Sequence, residues 1–129
     1  MTEKKSKMKV LIVEDDPFIS DIYVVELESR GYKVELAVDG EDAMSKINKG
    51  HYALVVLDLL MPKKDGFQVL TEIKNNPNLK MPVIVLSNLG RKEHISKAMD
   101  MGAADYLIKT QFTPQEVVEK IDQVIQENK

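Results

Sequence analysis

Val10-Leu11-Ile12-Val13 is a continuous, β-branched-rich apolar run, and Glu14-Asp15-Asp16 follows it at once. The same grammar returns along the chain. Leu54-Val55-Val56-Leu57 runs into Asp58, Val83-Ile84-Val85-Leu86 into Ser87, and Tyr106-Leu107-Ile108 into Lys109. Runs that are apolar throughout, not at alternate positions, suit strands covered on both faces, as in a parallel sheet. Lys33 to Val38 differs: Val34, Leu36 and Val38 alternate with Lys33, Glu35 and Ala37. That alternation predicts a strand with one less buried face, at a sheet edge.

Helical patterns fill the gaps. Asp16-Pro17 offers an N-cap and a proline at the first helical position. Phe18, Ile22 and Val25 then share a face, and Gly31 stops the helix. Ala43, Met44 and Ile47 precede Gly50; Val69, Leu70 and Ile73 precede the breaker Asn75-Asn76-Pro77; Ile95, Ala98 and Met99 precede Gly102. Thr113-Pro114-Gln115-Glu116 is a capping box with proline inside it. Val117, Val118, Ile121, Val124 and Ile125 then form a full helical stripe. All these stripes read as core. Strand and helix alternate five times. Such alternation implies an α/β fold in three layers, a parallel sheet between two layers of helices.

The chain has 129 residues, 43% hydrophobic and 30% charged. That suits one soluble globular domain. It has no cysteine, which excludes disulfides and thiolate metal sites. A reducing, cytoplasmic location is the expectation that fits. No apolar run is long enough for a membrane span, and Met1 to Lys9 is polar and basic, unlike a signal peptide. The net charge is −3. No basic excess invites nucleic acid, so neither direct nucleic-acid binding nor a membrane partner is expected.

In open α/β sheets, sites form beyond the carboxyl ends of the strands. There the sequence places Glu14, Asp15 and Asp16, then Asp58, then Ser87 and Asn88, then Lys109. Carboxylates crowded within a few ångströms repel one another, and a divalent cation relieves this. The ligands on offer are hard oxygens, which suit Mg²⁺ and not zinc or copper. A carboxylate can also attack phosphorus to give an acyl phosphate. Lys109 on the side opposite the acids, with Ser87, would engage the phosphoryl oxygens. Asp16 reads as a helix cap. His51, in a turn, and His94, on an exposed helix face, read as solvated.

Leu11-Ile12-Val13-Glu14-Asp15-Asp16, Leu57 to Gly66, Val85-Leu86-Ser87 and Gly102 to Lys109 resemble the response-regulator receiver family of two-component signalling, which includes the bacterial chemotaxis response regulator. The resemblance runs from about Met8 to the final helix. It implies a flavodoxin-like (βα)5 fold with strand order 2-1-3-4-5. Residues 1–7 then read as a flexible basic N-terminus and 8–129 as a single receiver domain.

The resemblance also implies roles. Asp58 is the phosphoacceptor and Asp15 a direct metal ligand. Glu14 holds the metal through water, and the Leu60 backbone carbonyl completes the ligands. The cofactor is Mg²⁺, with Mn²⁺ as the alternative. Ser87 is the switch hydroxyl, Lys109 the salt-bridging partner of the phosphoryl group, and Tyr106 the aromatic that swings between exposed and buried positions. The upstream partner is a sensor histidine kinase or a His-phosphotransfer protein. A downstream protein target docks near Ile95, Met99 and Tyr106. The protein is a phosphoacceptor, with slow autophosphorylation and dephosphorylation at most, and not a metabolic enzyme. Leu60 and Leu89 match positions that tune dephosphorylation, and as apolar residues they are expected to shield the acyl phosphate.

The pattern departs from the family after Lys109. A proline with a cis peptide usually follows; here it is Thr110, where a cis bond costs about 3 kcal/mol. Thr110-Gln111-Phe112-Thr113-Pro114 is also one residue longer than usual. Three other readings remain: an FMN-binding flavodoxin-like protein, an aspartyl-phosphate hydrolase, and a receiver-like module that binds partners without phosphorylation. Glu14-Asp15-Asp16 would repel a cofactor phosphate. Leu60 stands where the hydrolases carry a second Asp. The full set of acids, Ser and Lys argues against the third.

Overall fold

Each apolar run is a strand in a computed structural model of the chain, which describes residues 8–128. The expected flexible N-terminus, 1–7, lies outside the described residues. The strands are β1 (Lys9–Val13), β2 (Lys33–Ala37), β3 (Leu54–Leu57), β4 (Val83–Ser87) and β5 (Asp105–Ile108). They form one parallel sheet in the order β2-β1-β3-β4-β5. Five helices connect and follow them: α1 (Pro17–Ser29), α2 (Gly40–Lys49), α3 (Gly66–Asn75), α4 (Lys92–Asp100) and α5 (Pro114–Glu127).

Alternate strand residues point to opposite faces, and here they feed two cores. Val10, Ile12, Leu54, Val56, Ile84 and Leu86 meet Tyr23 and Leu27 of α1 and the α5 stripe. Leu11, Val13, Val55, Leu57, Val83 and Val85 meet apolar residues of α2, α3 and α4. The sheet is thus covered on both sides, which explains why the central runs contain no polar position.

Several expectations need correction. Val38 lies past the end of β2 and is 55% exposed. β5 is the second edge, and only its Leu107 is fully buried. On α1 the Phe18, Ile22 and Val25 face is turned outward, at 83%, 51% and 68% exposure, while Ser20, Tyr23 and Leu27 are buried. Apolar residues occur on most sides of α1, so no stripe stands out, and the helix presents Tyr23 and Leu27 to the sheet. On α4 only Ala98 is buried; Ile95 is half-buried and Met99 exposed. His94 is half-buried, not solvated, with its ring 6.4 Å from that of Phe67 on α3.

The segment after Lys109 follows its own course. Every peptide bond among the described residues is trans. Lys109–Gln111 forms one turn of 3₁₀ helix, and Phe112 tucks against the α1/α5 core. That turn takes up the extra residue before Thr113 caps α5 in the expected capping box.

Candidate functional site

The parallel register brings the acids together. Val13 pairs with Leu57, so Glu14 and Asp58 leave adjacent strands side by side. The ladder runs one step further on both sides: the Glu14 N–H donates to Ala37 O at 3.0 Å and the Asp58 N–H to Val13 O at 3.1 Å. The two carboxylates are therefore held by strand backbone and not by loops. Asp16 turns the chain away from β1 by capping α1, its carboxylate accepting the Phe18 N–H at 2.9 Å.

Glu14 and Asp58 are each only 6% exposed, whereas Asp15 is exposed. Oxygens from all three lie within 4.8 Å of one another. Lys109 reaches in from the end of β5. Its ammonium donates to Asp58 Oδ2 at 2.8 Å and also to Glu14. The expectation that Lys109 stands opposite the acids is thus corrected, since it bridges two of them. The other Asp58 oxygen accepts the Leu60 N–H at 3.1 Å, and Glu14 accepts the Asp16 N–H at 3.1 Å.

Burial pushes the Glu14 carboxyl above the ordinary 4.5, despite its bonds to Lys109 and the Asp16 N–H. Burial works against the Lys109 charge, but the bonds to Asp58 and Glu14 prevail and raise its pKa. Three carboxylates against one ammonium leave the cluster with an excess of negative charge when all are ionised. The donors are all hard oxygens. Such hard oxygens, held close together, are the ligand type that Mg²⁺ prefers.

Ser87 and Tyr106 meet at the backbone of a single residue, Leu89. Ser87 is fully buried, and its hydroxyl accepts the Leu89 N–H at 3.3 Å. The half-buried Tyr106 donates its hydroxyl to the Leu89 carbonyl. Burial, and then the charge on Asp58, raise the Tyr106 pKa. Leu89 is therefore the shared contact of the two residues, which no spacing in the sequence indicated. Leu60 stands 57% exposed, while Leu89 packs against the α2/α3/α4 core. His51 is exposed, as expected.

The family model for the response regulator receiver domain matches residues 10–122. The chain is 37% identical over 119 residues to a probable transcriptional regulator, ycf27, of Porphyridium aerugineum, covering 92% of this chain and 48% of the relative. It spans about half the length of several such curated relatives. Among solved structures, the Francisella response regulator 1452 receiver domain superposes with a TM-score of 0.87 at 31% identity, covering 95% of this chain and 99% of that one. Vibrio cholerae chemotaxis protein CheY4 gives 0.83 at 28% identity, covering 91% and 98%. With fold, register and family model in agreement over nearly its whole length, the chain belongs to the response-regulator receiver domain family of two-component systems.

Proposed function

We propose that this chain is a Mg²⁺-dependent phosphoacceptor, taking a phosphoryl group onto Asp58 from the phosphohistidine of a sensor histidine kinase or His-phosphotransfer protein. One observation carries the reading: three carboxylates share a cluster with a single lysine, so the site has unmet demand for positive charge. Asp15, Asp58 and the Leu60 carbonyl would hold the metal, with Glu14 acting through water; Mn²⁺ fits the same oxygens. Bound there, the ion would neutralise the acids and the incoming phosphoryl oxygens.

The Asp58 carboxylate forms the new bond to phosphorus as the bond from phosphorus to the donor imidazole nitrogen breaks, and solvent reprotonates the departing ring. Lys109 then has a phosphoryl oxygen to pair with in place of a bare carboxylate. The Ser87 hydroxyl, which accepts from the Leu89 N–H, would gain in the phosphoryl oxygen a charged acceptor for its own hydrogen. If Ser87 turns to it, the Leu89 backbone loses one of its two side-chain contacts, and Tyr106 holds the other. The switch thereby reaches the face near Ile95, Met99 and Tyr106, where a downstream protein binds. Slow loss of the phosphoryl group suits such a switch, and the setting is cytoplasmic. No helix among the described residues is long and apolar enough to cross a membrane.

Acetyl phosphate with Mg²⁺, read by intact mass, tests the proposal. A phosphoryl adduct is expected, absent when EDTA replaces the metal. No adduct with any small phosphodonor would instead favour a module that binds partners without phosphorylation.

A further inference from the structure

The loop between β3 and α3, residues 59–65, carries Leu60, and two glycines pin it towards its α3 end. At its far end Gly66 lies against the phosphoacceptor strand: a Cβ there would meet Asp58 O at 2.5 Å and Leu59 Cα at 2.6 Å. The Gly66 N–H also donates to Leu59 O at 3.1 Å. The second pin is on a different element. Gly40, the first residue of α2, faces Lys64 so closely that a Cβ would fall 2.0 Å from the Lys64 carbonyl oxygen. That is more than 1 Å inside an ordinary contact, and the obstacle is backbone, not a flexible side chain.

The helix side of this contact is stiff. Asp39 is buried and caps α2 by accepting the Asp42 N–H at 2.8 Å. Asp42 in turn accepts the Val38 N–H at 3.1 Å. Ala43, Met44 and Ile47 fix α2 in the core. The loop side is soft: Leu60, Pro62, Lys63 and Asp65 are all exposed. Lys63 holds a left-handed backbone, φ 63°, which favours glycine. Its ammonium lies 3.6 Å from Asp39 but is 61% exposed, so this ion pair adds little. The steric fit of Gly40 is the larger part of the seat.

We propose that Gly40 is a positioning residue for the phosphoacceptor loop: the start of α2 seats residues 60–65, and any side chain at residue 40 lifts the loop and displaces the Leu60 carbonyl. The metal half of this inference rests on the proposed Mg²⁺ site; the seat itself does not. Because the loop is the softer partner, Gly40→Ala should leave the domain folded and move the loop.

Mg²⁺ affinity by calorimetry and amide hydrogen exchange across 59–65 in metal-free protein test it together. Gly40→Ala should weaken Mg²⁺ about 10-fold or more, as loss of a supporting shell does, and speed exchange in the loop. Met44→Ala, which loosens α2 from below, should leave both unchanged relative to the parent chain. Asp39→Asn keeps the cap but loses the charge facing Lys63, and should weaken Mg²⁺ by no more than about two-fold. Equal effects of Gly40→Ala and Met44→Ala, a larger effect of Asp39→Asn, or a Gly40→Ala chain that does not fold would each overturn the assignment. If the parent chain binds no Mg²⁺, the metal site fails, and loop exchange alone judges the seat.

Discussion

The two ends of the β1 strand carry the same ingredients and put them to different uses. At the amino end, Lys9 pairs with Glu35 at 3.1 Å, the Tyr52 hydroxyl donates to Glu35 at 2.6 Å, and the lysine lies 5.2 Å from the Tyr52 ring centroid. At the carboxyl end, Lys109 pairs with Asp58 and Glu14, and the hydroxyls of Ser87 and Tyr106 stand near by on β4 and β5. The first group balances one charge against one, and its ions are 33% and 40% exposed. The second sets three carboxylates against one ammonium, and the side chains of Lys109, Glu14 and Asp58 are all largely buried. Lysine, carboxylate and hydroxyl do not in themselves make a reactive site. What sets the carboxyl end apart is excess negative charge beside two buried carboxylates, which a bound cation would relieve.

Metal affinity should separate the two ends most widely. Asp15→Asn removes an exposed ligand and is expected to weaken Mg²⁺ by at least about 10- to 100-fold. Glu35→Gln should leave it unchanged in the same titration. Equal losses would mean the metal effect is a general response to lost charge.

Stability should move in opposite directions. Glu14→Gln relieves a crowded, buried carboxylate and leaves Lys109 its bond to Asp58. It should stabilise the metal-free chain by about 1 kcal/mol, as substitutions at strained functional positions often do. That corresponds to a rise in melting temperature of about 3–4 °C. Tyr52→Phe at the other end removes a hydrogen bond to a partly exposed acid and should cost about 0.5 kcal/mol. If both variants lose stability, the carboxyl end is not frustrated.

The smallest effect lies in the pH dependence. Glu35 is held below the ordinary 4.5, first by the Tyr52 hydrogen bond and then by Lys9. Its contribution is complete above 4.5 and is lost as pH falls through the lowered value. Glu14 is raised above 4.5 by burial. Its ionised form works against the fold, so its contribution improves as pH falls from the raised value towards 4.5. Denaturation midpoints measured as pH falls towards 4.5 should therefore rise less in Glu14→Gln than in the parent. They should fall less below that pH in Glu35→Gln.

Much of this architecture was legible because the apolar runs are continuous and their carboxyl ends must converge in a parallel sheet. Glu14, Asp15, Asp58, Ser87 and Lys109 were found that way. Faces of helices were harder. In α5 charged residues separate Val117, Val118, Ile121, Val124 and Ile125 into one stripe, and all five are buried. In α1 Phe18, Ile19, Ile22, Tyr23, Val24, Val25 and Leu27 leave no polar side to mark the outside. Which side chain bonds which across the carboxyl edge of the sheet was not legible. Lys109 bonding Glu14 joins residues 95 apart in sequence. The fit of Gly40 against Lys64 depends on an absent side chain, which has no pattern to read.

Mapping the phosphoryl group to its residue tests the central claim most directly. The chain is treated with acetyl phosphate and Mg²⁺, the acyl phosphate is reduced with borohydride, and the altered residue is located by tandem mass spectrometry. Modification at Asp58 alone, abolished in Asp58→Asn, is the expected result. A reduced residue at Asp15 or another carboxylate, with Asp58 unmodified, would contradict the account.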